Sequence, residues 1–370
     1  MNNIVISAIN LIDGGAFTIL QQCLGYVATS KLIEKYKFIV LVNNRSVVCH
    51  DKFIVLEFPK AKRHWVNRIY YEYYYFRKIA KSYRPYLWLS LHDMTPTLSN
   101  VERIATYMHN PSPFSQISLK ELKYYGYSYI LFALFYKYLY RINIHKNTYC
   151  IVQQQWLRAA FAKMYKINPG KIIVSRPIVN KGSDNKLRSQ RNNAKFTFFF
   201  PSFPRPFKAF EVVCSAVELL EQKGLTNFCV KLTIDGSETK YSKWILERYG
   251  YLRSIEFVGL LDKNEMERAY YNTDCLIFPS RLETWGLPIS EFKPYNKPMI
   301  LVDKPYAHET ASGANKVAFF KTDSAAGLSL LMHKVLIEDF SDFQKVPEMQ
   351  FQDPSSTGWA ELFDILLNDR

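Results

Sequence analysis

Short apolar runs recur along the chain, each closed by glycine, proline or polar residues and followed by a longer mixed stretch. In the first half, residues 4–9, 38–42, 53–58, 87–91, 103–108, 148–153 and 171–175 read as strands; in the second, 195–200, 228–234, 254–258, 274–278 and 299–302 do. Helical patterning falls between them, from Ala16 onward, across 60–84 and 156–165, up to Glu221, and again over 359–367. This alternation is that of an α/β chain. Its opening, a strand, a turn over 10–15 and a helix, is shared by many nucleotide-binding folds.

Breaks in the pattern divide the chain. Residues 181–193 are polar and charged with few apolar side chains, and read as a linker. It separates a first domain (1–180) from a second (194–355), with residues 356–370 as a terminal helix. Residues 124–136 are strongly apolar, but only thirteen residues separate Lys123 from Lys137, short of the roughly 20 needed to span a bilayer.

Composition adds constraints. A chain that is 48% hydrophobic and 16% aromatic can bury large cores over its 370 residues, a length that suits two domains. Its six cysteines are scattered without a Cys-x-x-Cys pair, which argues against a structural zinc or a redox motif and fits reduced thiols in a cytoplasm. No secretory leader precedes the first strand. The net charge of +15 calls for an anionic partner: nucleic acid, an acidic lipid surface or a phosphorylated substrate. Basic residues crowd into 60–84, where Glu72 is the one acid, interleaved with tyrosines, Trp65 and Phe76. Either this is an interfacial helix for anionic lipid, or a solvated helix with its aromatics packed on its own domain.

The densest chemistry lies at 278–291. Pro279 stops the strand 274–278, and Pro288 suits the first turn of a helix that starts near Leu287. Glu283 is then in the loop and Glu291 on the helix. First-turn N–H groups and the positive dipole end point back into the loop, the makings of an anion site. A nucleotide-sugar, with a diphosphate between two hydroxylated ends, would meet both carboxylates: Glu291 at the ribose, Glu283 at the sugar, and the backbone N–H groups of Thr284, Trp285, Gly286 and Leu287 at the phosphates. Spacing alone leaves open a capped surface helix with two solvated glutamates.

The run Pro279-Ser280-x-x-Glu283-x-x-Gly286-Leu287-Pro288-x-x-Glu291, followed by Lys297-Pro298-Met299-Ile300, resembles the Glu-x7-Glu signature of family 4 glycosyltransferases. Trp285 stands where that family more often has Phe or Tyr. The resemblance implies a GT-B fold: two Rossmann-like domains with a cleft between them and a C-terminal helix crossing back. It also implies a nucleotide-sugar donor, retention of anomeric configuration, and transfer with no cofactor and no metal. It covers most of the second half, and the first half more loosely.

Other positions gain roles through it. Arg205 and Lys208 follow strand 195–200 at a strand-to-helix turn, where fixed cations neutralise charge on a departing diphosphate; a surface basic pair is the plainer reading. In the family an Arg and a Lys in this region contact the donor phosphates, although here they are three apart and Ala209 replaces a common Gly. Gly14-Gly15 is not a Gly-x-Gly-x-x-Gly fingerprint, and reads by itself as a tight turn; the family often has a Gly-Gly loop near the donor phosphates or acceptor. Gly259 permits close backbone approach, and the resemblance places the nucleotide base near it. His92, Asp93 and His109 follow strands 87–91 and 103–108, at the ends where parallel sheets bind ligands. A lone histidine reads first as structural; the resemblance raises His109 as a neighbour of the transferred sugar, with His92 and Asp93 as acceptor-side candidates.

The function so implied is transfer of a hexose-type sugar to a hydroxyl of a glycan acceptor, lipid-linked, in surface polysaccharide synthesis of the capsule or O-antigen kind. The protein would be cytoplasmic, peripheral to the inner face of the membrane, with no nucleic-acid partner. Two alternatives stand beside it. One is a GT-B sugar-nucleotide enzyme that transfers nothing, such as an epimerase; the other is a basic nucleic-acid-binding protein, for which no binding motif is recognisable.

Overall fold

The computed structural model describes residues 1–12, 14–114, 135–178 and 195–368. The linker expected over 181–193 lies outside these residues, as does the apolar stretch 124–136 up to residue 134. By its internal contacts the chain divides into a first unit, 1–115, 131–178 and 351–370, and a second, 116–130 and 179–350.

The sheet of the first unit is built from β1 (Asn2–Ala8), β2 (Tyr36–Val42), β3 (Ile54–Glu57), β4 (Leu87–Ser90), β5 (Arg103–Tyr107), β6 (Tyr149–Val152), β7 (Ile172–Arg176) and, from the far end of the chain, a short strand Ser355–Thr357. Every pairing is parallel. Starting from β3, the order is β3, β2, β1, β4, β5, β6, β7 and then Ser355–Thr357. Successive crossovers step outward from β1 to β3, then restart beside β1 and step the other way. Apolar side chains fill both faces, which is why the strands read as runs rather than alternations. Ile4, Ile6, Leu87 and Leu89 face a cluster closed by the helices Gly14–Thr29 and Gly358–Leu367, the latter through Trp359, Leu362 and Phe363. Val5, Ile39, Leu41 and Trp88 face Phe76, Ile79 and Ala80 on the other side. The terminal helix expected at 359–367 thus belongs to the first unit.

The second unit repeats the plan with β8 (Phe196–Phe200), β9 (Phe228–Leu232), β10 (Ile255–Phe257), β11 (Cys275–Phe278), β12 (Met299–Val302) and β13 (Val317–Phe320). The order is β10, β9, β8, β11, β12, β13, again all parallel, with the reversal between β8 and β11. Helices Phe210–Gln222 and Ala325–Leu336 pack on each other beside it. Each unit is therefore a Rossmann-type sheet with one switch point, and loops leaving the carboxyl ends of the two strands there have room for a ligand.

The basic aromatic segment is helical over Trp65–Tyr70 and Phe76–Tyr83, joined by a π-helical turn over Tyr71–Tyr75. It does not follow either expectation cleanly, because one charged pair is turned inward while several rings and most of the remaining cations face outward. Arg68, Glu72, Phe76 and Ala80, four apart, point inward and are buried, while Val66 (74% exposed), Tyr70 (50%) and Tyr74 (72%) point outward. A four-residue stripe drifts round an α-helix of about 3.6 residues per turn, and the wider π turn corrects that drift. Inside, Arg68 Nη2 donates to the His92 carbonyl at 2.6 Å, Glu72 Oε1 lies 3.1 Å from His92 Nδ1, and Ser7 Oγ lies 2.9 Å from His92 Nε2. No described helix is long and apolar enough to cross a membrane.

Burial pushes the Glu72 carboxyl up to about 8, opposed by Arg68 beside it, and holds the His92 imidazole well below its ordinary value. Above its ordinary 4.5, the unfolded Glu72 loses a proton that the folded one keeps; below 6.5, the unfolded His92 gains one that the folded one refuses. The two effects oppose each other up to 6.5, and from there to about 8 the Glu72 contribution is unopposed by His92, so stability falls as pH rises. Melting temperature should drop across that window in the wild type and hold level in Glu72→Gln. An identical pH slope in the two proteins would mean that Glu72 titrates as it does in water.

Candidate active site

In the second unit, the two loops that leave the switch strands β8 and β11 are stitched together. After β8 the chain makes a tight turn over Pro206–Lys208, then Ala209 in a left-handed conformation (φ 60°), then the helix Phe210–Gln222. After β11, Pro279 ends the strand and the signature loop runs to Gly286, whose φ of 86° and close Ile289 side chain favour glycine. The Arg281 N–H donates to the Phe207 carbonyl at 2.8 Å, and Tyr306 OH donates to the Ser280 carbonyl at 2.6 Å. The result is a direct ion pair between the Lys208 ammonium and the Glu283 carboxylate, both mostly buried.

The helix that follows is short, Leu287–Phe292, continued by a tighter turn over Lys293–Tyr295. A six-residue helix builds little macrodipole, so the anion site expected at its start reduces to individual backbone N–H groups of 284–287. The Trp285 indole turns inward, 8% exposed, and donates to Ser290 Oγ at 2.8 Å; the Trp285 carbonyl accepts from Thr310 Oγ1. Its side chain is packed inward against the helix that follows. Glu291 is held by Tyr270, whose hydroxyl donates to Oε2 at 2.7 Å, and burial raises the Glu291 carboxyl above its ordinary value against that hydrogen bond. Arg205 stands apart from the glutamates. It is exposed, its guanidinium 5.9 Å from the Phe203 ring centroid, and of the two cations it is Lys208 that pairs with Glu283. Gly259 lies beyond the edge strand β10 with φ 71°, and a Cβ there would sit 3.3 Å from Asp235 Oδ2.

In the first unit the switch strands are β1 and β4. Gly14 and Gly15 are not a loop but the first turn of the helix that follows β1, which starts two residues earlier than expected. His92, two residues past β4, is 1% exposed and committed to Ser7, Arg68 and Glu72, so it is a core group and not an acceptor contact. Asp93, with φ 73°, is a clamp. Its Oδ1 accepts from the N–H groups of His109 (2.5 Å) and Asn110 (3.1 Å) and from Tyr140 OH (2.7 Å), and its Oδ2 from Tyr136 OH (3.1 Å). Asp93 therefore acts on the loop after β5 instead of on a ligand. His109 stacks on Tyr107 at 4.4 Å, and its Nε2 has no hydrogen-bond partner among the described residues. Burial lowers its pKa, with Asp93 pulling the other way, which leaves a neutral ring at neutral pH.

Sequence reasoning missed Arg281, Tyr270 and the Tyr136–Tyr140 pair. Arg281 lies inside the signature at an unassigned position, which was the available signal; Tyr270 and the tyrosine pair carry none, because their partners are distant in sequence. Replacing Asp93 by Ala strands several donors and strains a left-handed residue, and should cost about 2 kcal/mol in urea unfolding. Asp93→Asn, which keeps an acceptor and tolerates that backbone, should lose less than half as much.

Residues 183–346, a little under half of the chain, match the family model described as glycosyl transferases group 1. A comparison with curated proteins finds no match. In fold, the chain is similar to a glycosyltransferase from Rickettsia africae ESF-5 (TM-score 0.63, 17% identity, 92% of this chain and 89% of that one). It is also similar to the lipopolysaccharide outer core galactosyltransferase WaaB in its apo form (0.63, 12%, 92% of each) and to Anabaena Alr3699/HepE in complex with UDP-glucose (0.60, 12%, 92% of each). Two parallel sheets with this strand order, and the family match in the second of them, make the chain a glycosyltransferase of GT-B fold.

Proposed function

We propose that the protein moves a hexose-type sugar from a nucleotide-sugar to a hydroxyl of a glycan acceptor, with retention at the anomeric carbon. The observation that carries this reading is the meeting of Lys208 and Glu283 just past the carboxyl ends of β8 and β11, with Glu291 held by Tyr270 eight residues on. A cation and two carboxylates at a sheet switch point suit a ligand that brings a diphosphate flanked by hydroxyls. Lys208 and the backbone N–H groups of 284–287 take the charge that builds on the leaving diphosphate, so the reaction needs no metal. Glu283 orients the sugar, Glu291 accepts from the ribose, and the bare backbone at Gly259 leaves room for the base. The acceptor hydroxyl attacks the anomeric carbon from the face that the diphosphate leaves.

Support for the donor class comes from Anabaena Alr3699/HepE, solved with UDP-glucose and with UDP. Support for a surface glycan acceptor comes from WaaB and from WaaG, a glycosyltransferase involved in lipopolysaccharide biosynthesis. The outward stripe of Val66, Tyr70 and Tyr74, flanked by exposed Arg77, Lys78 and Lys81, extends the reading to a lipid-linked acceptor. Rings in the headgroup layer and cations on acidic lipid would hold the protein at the inner face of a membrane.

A thermal-shift screen against UDP-, GDP-, ADP- and dTDP-sugars and their free diphosphates tests the donor. One nucleotide class should stabilise the wild type, by about 2.7 kcal/mol at a concentration 100 times Kd, and the shift should vanish in Glu291→Ala. A shift that survives the substitution removes Glu291 from the ribose. Turnover of the donor with no acceptor present would point instead to an epimerase-like enzyme. For the membrane, the protein should co-sediment with phosphatidylserine-containing vesicles at low salt, and Tyr74→Ser should weaken that binding about tenfold. Failure of the wild type to sediment sinks the membrane part alone.

A further inference from the structure

We propose that Arg281 is a positioning residue that holds the Lys208 turn against the Glu283 loop and so sets the geometry of the diphosphate site. The inference rests on the donor reading above. Arg281 stands in the signature loop two residues before Glu283, yet its mostly buried side chain reaches across to the other loop and to the helix and turn beside it. Nη1 donates to the Pro206 carbonyl at 2.7 Å, Nη2 to Glu211 Oε1 at 2.5 Å, and Nε to Asp323 Oδ1 at 2.6 Å. Its own N–H bonds the Phe207 carbonyl, and Ser280 Oγ reaches the same carbonyl at 3.4 Å. Two consecutive carbonyls of the turn that carries Lys208 are thereby tied to the loop that carries Glu283.

That turn needs support. Ala209, just after Lys208, sits at φ 60°, a conformation that residues with a Cβ adopt only when their surroundings hold them there. On its far side a relay closes around it: the Phe210 N–H donates to Tyr241 OH at 3.0 Å, and that hydroxyl donates to Glu211, the same carboxylate that takes Arg281. Only a planar fork with several fixed donors can bridge a carbonyl and two carboxylates at once, and an ammonium cannot reproduce it. Arg281 thus acts on Lys208 through the backbone, and of the two it is Lys208 that meets the ligand.

The test is a double-mutant cycle read by calorimetric affinity for UDP, GDP, ADP and dTDP. Wild type, Arg281→Lys, Lys208→Ala and the double variant are compared, with melting temperature as the control for folding. At least one diphosphate should bind the wild type, and Arg281→Lys should weaken it on the order of tenfold to hundredfold, as a small misplacement of a binding group does. In the Lys208→Ala background the same change should cost less than twofold, because there is no ammonium left to place. Equal affinity in wild type and Arg281→Lys overturns the inference, and so does an equal loss with and without Lys208, which would mark a general structural role. If Arg281→Lys does not fold, Glu211→Gln and Asp323→Asn, each removing one support of the fork, are put through the same cycle with the same expectations. Should none of the four diphosphates bind the wild type, the donor reading falls and this inference with it.

Discussion

A parallel sheet can grow outward from its first strand in one direction only until the chain must return, and each unit makes that return once. Between β1 and β4, and again between β8 and β11, neighbouring strands send their crossovers to opposite sides. The loops after those strands diverge, and the space between them is the place where a polar ligand can be taken up without breaking the sheet. In the second unit the buried ion pair follows from that reversal: Lys208 comes from one loop and Glu283 from the other, with Glu291 on the helix that continues it. At the same edge of the first unit's own sheet lie Gly14 and Gly15, after β1, and His109, after the neighbouring β5.

Loops at such an edge are not rigid by themselves, and the chain stiffens them with polar clamps instead of apolar packing. Asp93 gathers the loop after β5, Tyr270 fixes Glu291, and Arg281 ties one switch loop to the other. Charged hydrogen bonds are directional and short, so they hold a geometry to a fraction of an ångström. The cost is desolvation, visible in the raised Glu291 and lowered His109 values. Glu72 and His92 show the same cost in the core of the first unit.

The segment 65–83 shows how tertiary structure can divide a stretch between two expectations drawn from composition. Its charges would ordinarily face water and its rings the core. Here Arg68 and Glu72 are drawn inward by His92, which leaves Val66, Tyr70 and Tyr74 on the outside. A soluble surface seldom keeps such a row without a use for it.

The alternation of apolar runs and helical stretches was enough to determine the parallel α/β character, most of the strands and the terminal helix, because period and length are local properties. Pro279, Gly286 and Pro288 likewise determined a strand end, a left-handed turn and a helix start, and with them the placement of Glu283 and Glu291. What lay beyond the sequence were the partners. Nothing local distinguishes Arg205 from Lys208, yet only Lys208 reaches Glu283. Nothing marks His92 as core and His109 as the ring with a free nitrogen, or Ser355–Thr357 as a strand beside β7. Those outcomes depend on which distant segment packs against each residue, and the burial, hydrogen bonding and charge that follow exist only once the two sheets have formed.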